Sequence, residues 1–220
     1  MVMANLRLVR LLMFSFLRPI RKPIAVLLLG VLMGGSSTYF WLDQVGLAFG
    51  RTDYPEETSR SVEPSLPVFI RVLAVGIEAE FETPLDLDST GLMEVPKGFD
   101  TVAWYKHSPT PGEIGPSVIV GHVDSETGPE VFQPLKDIKD GDLIEIGRED
   151  GSTAVFEVYR LSYHSKKRFP FEKVFGDVDG SELRLITCGG VFDHSDRSYS
   201  HNLVVYAKFL HWDQKESDQG

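Results

Sequence analysis

Cysteine is almost absent from this sequence, which has one, Cys188, among 220 residues. A disulfide within the chain is therefore impossible, which excludes a small disulfide scaffold. No Cys and His residues have the spacing of a zinc site, and no acidic loop matches the EF-hand pattern. Internal repeats and low-complexity tracts are also missing. We expect no bound metal and no other cofactor.

Positive charge is scarce outside the first 42 residues, which contain five basic residues and no acidic one. The other 178 residues carry 17 basic and 32 acidic side chains. Phosphate binding needs clustered Lys and Arg, so a part this acidic lacks a nucleic-acid surface. We expect no nucleic acid among the partners.

Residues 24–42 contain no charged side chain. As a helix they extend about 28 Å, close to the ~30 Å thickness of the bilayer core. The neighbouring basic residues all precede this segment, which predicts a cytoplasmic N-terminus at 1–23 and an exported remainder. A cleaved signal peptide is the alternative, but no persuasive small-x-small cleavage site follows. We expect an uncleaved, single-pass transmembrane anchor at 24–42.

The exported part is predicted to be mainly β. Residues 43–64 are polar and indicate an extracellular linker, 65–212 indicate one domain, and 213–220 indicate a C-terminal tail. Apolar segments separated by Gly and Pro predict strands near 67–75, 117–120, 142–147, 153–161, 182–187 and 202–209. Asp150-Gly151 predicts a hairpin turn, and a short helix is expected near 131–135. Short strands at this spacing are typical of a barrel or sandwich.

Three chemically capable residues follow predicted strands. Cys188 comes after an apolar run and before Gly189-Gly190, which predicts a thiol at a strand end that a substrate backbone can approach. His122 follows the apolar segment 118–121, and Arg197 precedes the last predicted strand. From the residues alone, a buried structural cysteine, a structural histidine and a solvated arginine remain alternatives.

Taken together, these motifs resemble the sortases, and within them the actinobacterial class F, with class E as a close relative. The resemblance covers about 66–209 and rests on the following matches: Leu185-Ile186-Thr187-Cys188, Gly121-His122, Arg197, and the phrases at 111–124, 128–132, 141–142 and 187–193. Two departures occur: His201 stands where the family often has an acidic residue, and no arginine other than Arg197 follows Cys188.

The resemblance implies a closed sortase-type β-barrel of about eight strands with one or two short helices, behind the transmembrane helix. It further implies a Gram-positive cysteine transpeptidase of the cell membrane whose catalytic domain is extracellular. Such an enzyme cleaves a Leu-Pro-X-Thr-Gly-like sorting signal of a secreted protein between Thr and Gly. It then joins the acyl group to an amine of a cell-wall precursor or a pilin.

By the same resemblance, Cys188 is the nucleophile that forms the thioester, and His122 activates the thiol or protonates the leaving amine. Arg197 holds the oxyanion, and Thr187 contacts the substrate. Two alternatives are kept. The first is a membrane-tethered β-barrel that binds peptides without catalysis. The second is an L,D-transpeptidase, which is disfavoured because those enzymes place Ser-His-Gly beside the cysteine.

Overall fold

The computed structural model describes residues 62–213. The strands are β1 (Pro67–Val72), β2 (Ile77–Glu80), β3 (Val102–Trp104), β4 (Gly115–Gly121), β5 (Asp124–Ser125), β6 (Gly128–Pro129), β7 (Leu143–Arg148), β8 (Thr153–Ser165), β9 (Ser181–Asp193) and β10 (Ser198–Asp213). The helices are α1 (Phe171–Phe175) and 3-10 helices at Leu73–Val75, Gln133–Asp137 and Lys166–Arg168.

The predictions for the N-terminal 1–23, the membrane anchor 24–42, nearly all of the linker 43–64 and most of the tail 213–220 lie outside the described residues. Between residues 62 and 213, no helix is long and apolar enough to span a bilayer.

Eight strands form one sheet in the order β2-β1-β7-β8-β10-β9-β4-β3, and β5 and β6 form a separate small hairpin. All neighbours in the large sheet run antiparallel except β4 and β9, which are parallel. Bridges from Phe81 to Val102 and from Leu85 to Tyr105 join the chain after β2 to the β3 edge. The predicted mainly β, eight-stranded barrel with few helices is confirmed, and it is nearly closed.

The central strands bury both of their faces. Along β9, Leu183 and Leu185 belong to one apolar cluster, while Ile186 belongs to a second cluster on the opposite face. In β10, Val204 and Val205 divide between the two clusters in the same way. Successive side chains of a strand point to opposite faces, so strands buried on both sides have nearly continuous apolar sequences.

The β7–β8 hairpin confirms the turn prediction, with Gly151 at a φ of +84°. That left-handed conformation is easily reached by glycine, which lacks a Cβ. The helix expected near 131–135 is the 3-10 helix Gln133–Asp137, with a proline in its first turn. Strands β9 and β10 are longer than predicted, because they pair with each other beyond their apolar segments.

Candidate active site

Cys188 lies within β9, so the prediction that the strand ends at Thr187-Cys188 is wrong. β9 continues to Asp193, because β10 folds back on it and pairs Ser198 with Asp193. The pairing register shifts just after Cys188, where Gly190 has a φ of +80°. The shift corresponds to one extra residue in β9 between Gly189 and Phe192, and such a bulge bends a strand locally. The bend therefore lies directly beside the thiol.

The parallel pairing of β4 with β9 places His122 next to Cys188. The last paired residues are Val120 and Ile186, and His122 and Cys188 each follow that pair by two residues. Neighbouring strands are about 4.8 Å apart. The two predicted catalytic residues, 66 positions apart in the sequence, therefore lie at the same level of adjacent chain segments.

The His122 ring is held by the loop before β3. Its Nε2 lies 2.8 Å from the carbonyl oxygen of Pro96, and its centroid is 4.9 Å from that of Phe99. A carbonyl oxygen only accepts hydrogen bonds, so Nε2 carries the hydrogen in this arrangement. Nδ1 of the neutral ring is consequently the nitrogen left to take a proton.

Glu82 anchors the loop that holds His122. Its carboxylate accepts the backbone N–H groups of Lys97 at 2.8 Å and Gly98 at 2.9 Å, and the Thr101 hydroxyl at 2.9 Å. Partial burial raises the pKa of Glu82, but these three hydrogen bonds outweigh it and bring the pKa below its ordinary value. The sequence analysis missed Glu82, because a carboxylate bound to backbone N–H groups leaves no residue pattern.

Replacing Glu82 with alanine is expected to lower the free energy of unfolding by about 1.5–3 kcal/mol, the value of hydrogen bonds to a charged group. The His122 ring should also become mobile, seen as broadened imidazole resonances in NMR spectra. Because the folded pKa lies below the ordinary 4.5, the stabilisation is complete above that pH and is lost as pH falls through the folded value. Glu80→Ala, which truncates an exposed neighbour, is the control. Equal behaviour of the two variants would contradict the anchoring role.

The Cys188 thiol opens onto a groove of about 390 Å³, although only 8% of the residue is exposed. Residues that line this thiol groove include Gly189, Tyr163, Asp124 and Tyr199. Burial raises the pKa of Cys188; the ammonium group of Lys166 opposes that change, and the carboxylate of Asp124 adds to it. The net effect favours the protonated thiol. Formation of the thiolate nucleophile therefore needs a base that takes the proton and a cation that stabilises the negative charge.

Tyr199 and Asp124 face the thiol groove as a hydrogen-bonded pair, with the phenol donating to the Asp124 carboxylate. Burial and this hydrogen bond raise the pKa of Tyr199 to about 12. The phenol is therefore neutral at physiological pH and cannot supply charge to the reaction.

Arg197 lies in the turn between β9 and β10, at a φ of +47°. Its side chain is 68% exposed, and Nη2 is 2.9 Å from Glu126 Oε1. It lines a neighbouring groove of about 550 Å³ that shares Asp124 and Tyr199 with the thiol groove. The fold thus brings the backbone positions of Cys188 and His122 to one level of neighbouring chain segments. The Arg197 guanidinium pairs with Glu126, and its predicted oxyanion role stays a prediction.

Thr187 is fully buried, and its hydroxyl has no hydrogen-bond partner among residues 62–213. Its predicted substrate contact stays a prediction. In the same part of the chain, no group of three or more His, Cys, Asp or Glu side chains could hold a metal ion.

Comparison with known proteins gives one family. A family model for the sortase domain matches residues 77–210, more than half of the chain. No curated protein matches.

Solved sortases share the fold. A lid mutant of sortase A from Corynebacterium diphtheriae is 22% identical, with a TM-score of 0.51 over 73% of this chain and 77% of that one. The pilus-related sortase C of Group B Streptococcus is 17% identical, with a TM-score of 0.52 over 68% and 69%. Sortase C-1 from Actinomyces oris is 21% identical, with a TM-score of 0.52 over 68% and 74%. These likenesses concern the fold, and the family model assigns the membership: the chain belongs to the sortase family of cysteine transpeptidases.

Proposed function

We propose that this chain is a class F-type sortase anchored in the cell membrane by residues 24–42, with its catalytic domain outside the cell. It cleaves a Leu-Pro-X-Thr-Gly-like sorting signal of secreted proteins between Thr and Gly. The acyl group is then transferred to an amine of a cell-wall precursor or a pilin. The uncharged segment 24–42 and the basic residues before it support the anchoring, and the motifs around His122 and Cys188 support the class.

The observation that carries this proposal is the position of Cys188 and His122 at one level of the parallel β4–β9 pair, with Cys188 lining the thiol groove. A nucleophile and a proton carrier on rigid neighbouring strands are suited to covalent catalysis. A peptide-binding barrel without catalysis needs neither group.

The reaction proceeds in two halves. The Cys188 thiolate attacks the Thr carbonyl carbon, and the tetrahedral intermediate expels the Gly amine, which takes a proton from the His122 imidazolium. The resulting thioester is attacked by the acceptor amine, and the neutral imidazole takes up the proton of that amine. The C–S bond then breaks, which releases the product amide and the Cys188 thiolate. The exposed fraction of Cys188 is small, which limits access of water to the thioester.

The proposed reaction is tested by incubating the full chain in mild detergent with a panel of sorting peptides and an oligoglycine acceptor. Mass spectrometry should detect a peptide acyl adduct on Cys188 that hydroxylamine releases, and a transfer product when the acceptor is present. The preferred peptide would identify the sorting signal. A folded chain that binds a peptide but forms neither adduct nor product would establish the peptide-binding barrel instead.

Replacement of His122 by alanine is expected to lower kcat for cleavage by about 10²- to 10⁴-fold, the usual contribution of a general acid or base. His211→Ala is the matched control, because His211 is exposed near the far end of β10. Steady-state kinetics should show full activity in the control and thermal unfolding should show that both variants are folded. Retention of wild-type kcat by His122→Ala would exclude the assigned role.

A further inference from the structure

We propose that Glu126 is a positioning residue for Arg197. Its carboxylate holds the guanidinium outside the thiol groove, and it yields the guanidinium to the oxyanion that forms on the substrate at Cys188. The inference deepens the proposed function and rests on it, because it concerns how the predicted oxyanion donor is restrained and delivered in the same reaction.

Two side-chain contacts join the β5–β6 hairpin to the beginning of β10. The Tyr199 hydroxyl donates a hydrogen bond to the Asp124 carboxylate. Arg197 Nη2 donates to Glu126 Oε1 at 2.9 Å. The partners lie two residues apart on each segment, and the two segments run in opposite directions. These four residues therefore form a clasp between the hairpin and β10.

The clasp separates two grooves. Asp124 and Tyr199 line both the thiol groove and the neighbouring groove of about 550 Å³. Glu126 and Arg197 line the neighbouring groove and not the thiol groove. The guanidinium is thus held on the far side of the contact between Asp124 and Tyr199. An oxyanion at Cys188 forms in the thiol groove, so Arg197 must leave Glu126 to reach it.

The turn that carries Arg197 is suited to a change of conformation. Arg197 has a φ of +47°, and within residues 62–213 every other residue with a positive φ is a glycine. This conformation is unfavourable for a residue with a Cβ, and such residues cluster at functional sites. The next residue, Ser198, has its Oγ 3.1 Å from Lys166 Nζ, which lies 3.5 Å from Cys188 Sγ. A local rearrangement of the turn would therefore bring the guanidinium into the thiol groove.

The strength of the contact fits a reversible restraint. The side chains of Arg197 and Glu126 are 68% and 80% exposed, so water screens their charges. An exposed pair of this kind shifts an equilibrium by no more than about fivefold. An oxyanion beside Cys188, of which only 8% is exposed, is screened less and attracts a guanidinium more strongly. The carboxylate therefore restrains Arg197 and gives way when the oxyanion forms.

The test is a double-mutant cycle on the alkylation of Cys188 by iodoacetamide near neutral pH, measured on the full chain in mild detergent by mass spectrometry. Glu126→Gln frees the guanidinium, and a cation closer to the sulfur favours the thiolate, so alkylation should become about two- to fivefold faster. In an Arg197→Met background, Glu126→Gln should leave the rate unchanged. The control is Glu157→Gln, which removes the same charge from the exposed pair with Lys208 and should not alter the wild-type rate.

Alkylation requires no peptide, so the outcomes separate this inference from the proposed function. Equal acceleration by Glu126→Gln in both backgrounds would overturn the inference, because the carboxylate would then act on the thiol without Arg197. An unchanged or slower rate in the Glu126→Gln single variant would also overturn it. Acceleration that requires Arg197, in a chain that cleaves no peptide, would support the restraint and remove the proposed reaction.

Peptide cleavage provides a second measurement on an active chain. Glu126→Gln should raise kcat/KM for a fluorogenic sorting peptide by up to about fivefold, because more of the enzyme has its guanidinium free to reach the oxyanion. Thermal unfolding should show that the variant is as stable as the wild type, since the lost pair is exposed. A fall in kcat/KM would show that the pair assists catalysis and would overturn the restraint.

Discussion

Cys188→Ala is expected to lower the rate of peptide cleavage by a factor on the order of 10⁶, as when the nucleophile of another covalent enzyme is removed. The loss should be in kcat, since peptide binding in the thiol groove does not require the sulfur. The chain contains no second cysteine that could replace this one. Cleavage by the variant, measured with a fluorogenic sorting peptide, should therefore be undetectable.

The matched control is Ser117→Ala, which removes a buried Oγ without a described partner from the neighbouring strand β4. It should retain full activity. Cys188→Ala should bind peptide as tightly as the wild type and unfold at a similar temperature, because the substitution removes one small side-chain atom from the site. Residual cleavage at a tenth of the wild-type rate would contradict nucleophilic catalysis by Cys188.

Glu182→Ala is expected to lower the free energy of unfolding by about 3–5 kcal/mol, because it leaves a buried cation without its partner. The guanidinium of Arg184 is only 2% exposed, and its Nη2 lies 2.6 Å from Glu182 Oε2. The same carboxylate accepts the Tyr159 hydroxyl at 2.7 Å, so alanine also removes that hydrogen bond. A loss of this size is a large part of the stability of an ordinary domain. Denaturant unfolding followed by circular dichroism measures it.

An exposed ion pair provides the comparison for Glu182. Glu157 Oε2 lies 3.2 Å from Lys208 Nζ, and the two side chains are 34% and 57% exposed. Glu157→Ala should cost less than about 1 kcal/mol, as exposed pairs usually do. Similar losses for Glu157→Ala and Glu182→Ala would show that burial of Arg184 carries no special cost.

The sequence predicts the barrel well because its main signals are local. Apolar segments and the Asp150-Gly151 turn indicate the central strands, and the sequence motifs around His122 and Cys188 indicate the family. The end of β9 was predicted wrongly, because Gly189-Gly190 directly after Cys188 weaken the strand signal of residues 189–193. Their pairing comes from the neighbouring strand rather than from their own side chains.

The missed site residues depend on contacts that span the sheet. Lys166 stands in a basic run that is typical of a solvated loop, yet its Nζ lies 3.5 Å from Cys188 Sγ, because β10 alone separates β8 from β9. Glu82 acts through backbone N–H groups 15 and 16 residues away. Neither contact has a signature in the types or spacing of neighbouring residues.

The central position of β10 has a consequence for vectorial synthesis. This strand is the last of the ten within residues 62–213, yet it lies between β8 and β9 and pairs with both. A nascent chain that has just completed Cys188 has therefore not yet joined β8 to β9, the strand that carries the thiol. Because such long-range pairing comes late in folding, the thiol groove, which residues of β8, β9 and β10 line, is complete only when β10 inserts. The thiol groove therefore forms only after the whole domain has been synthesised.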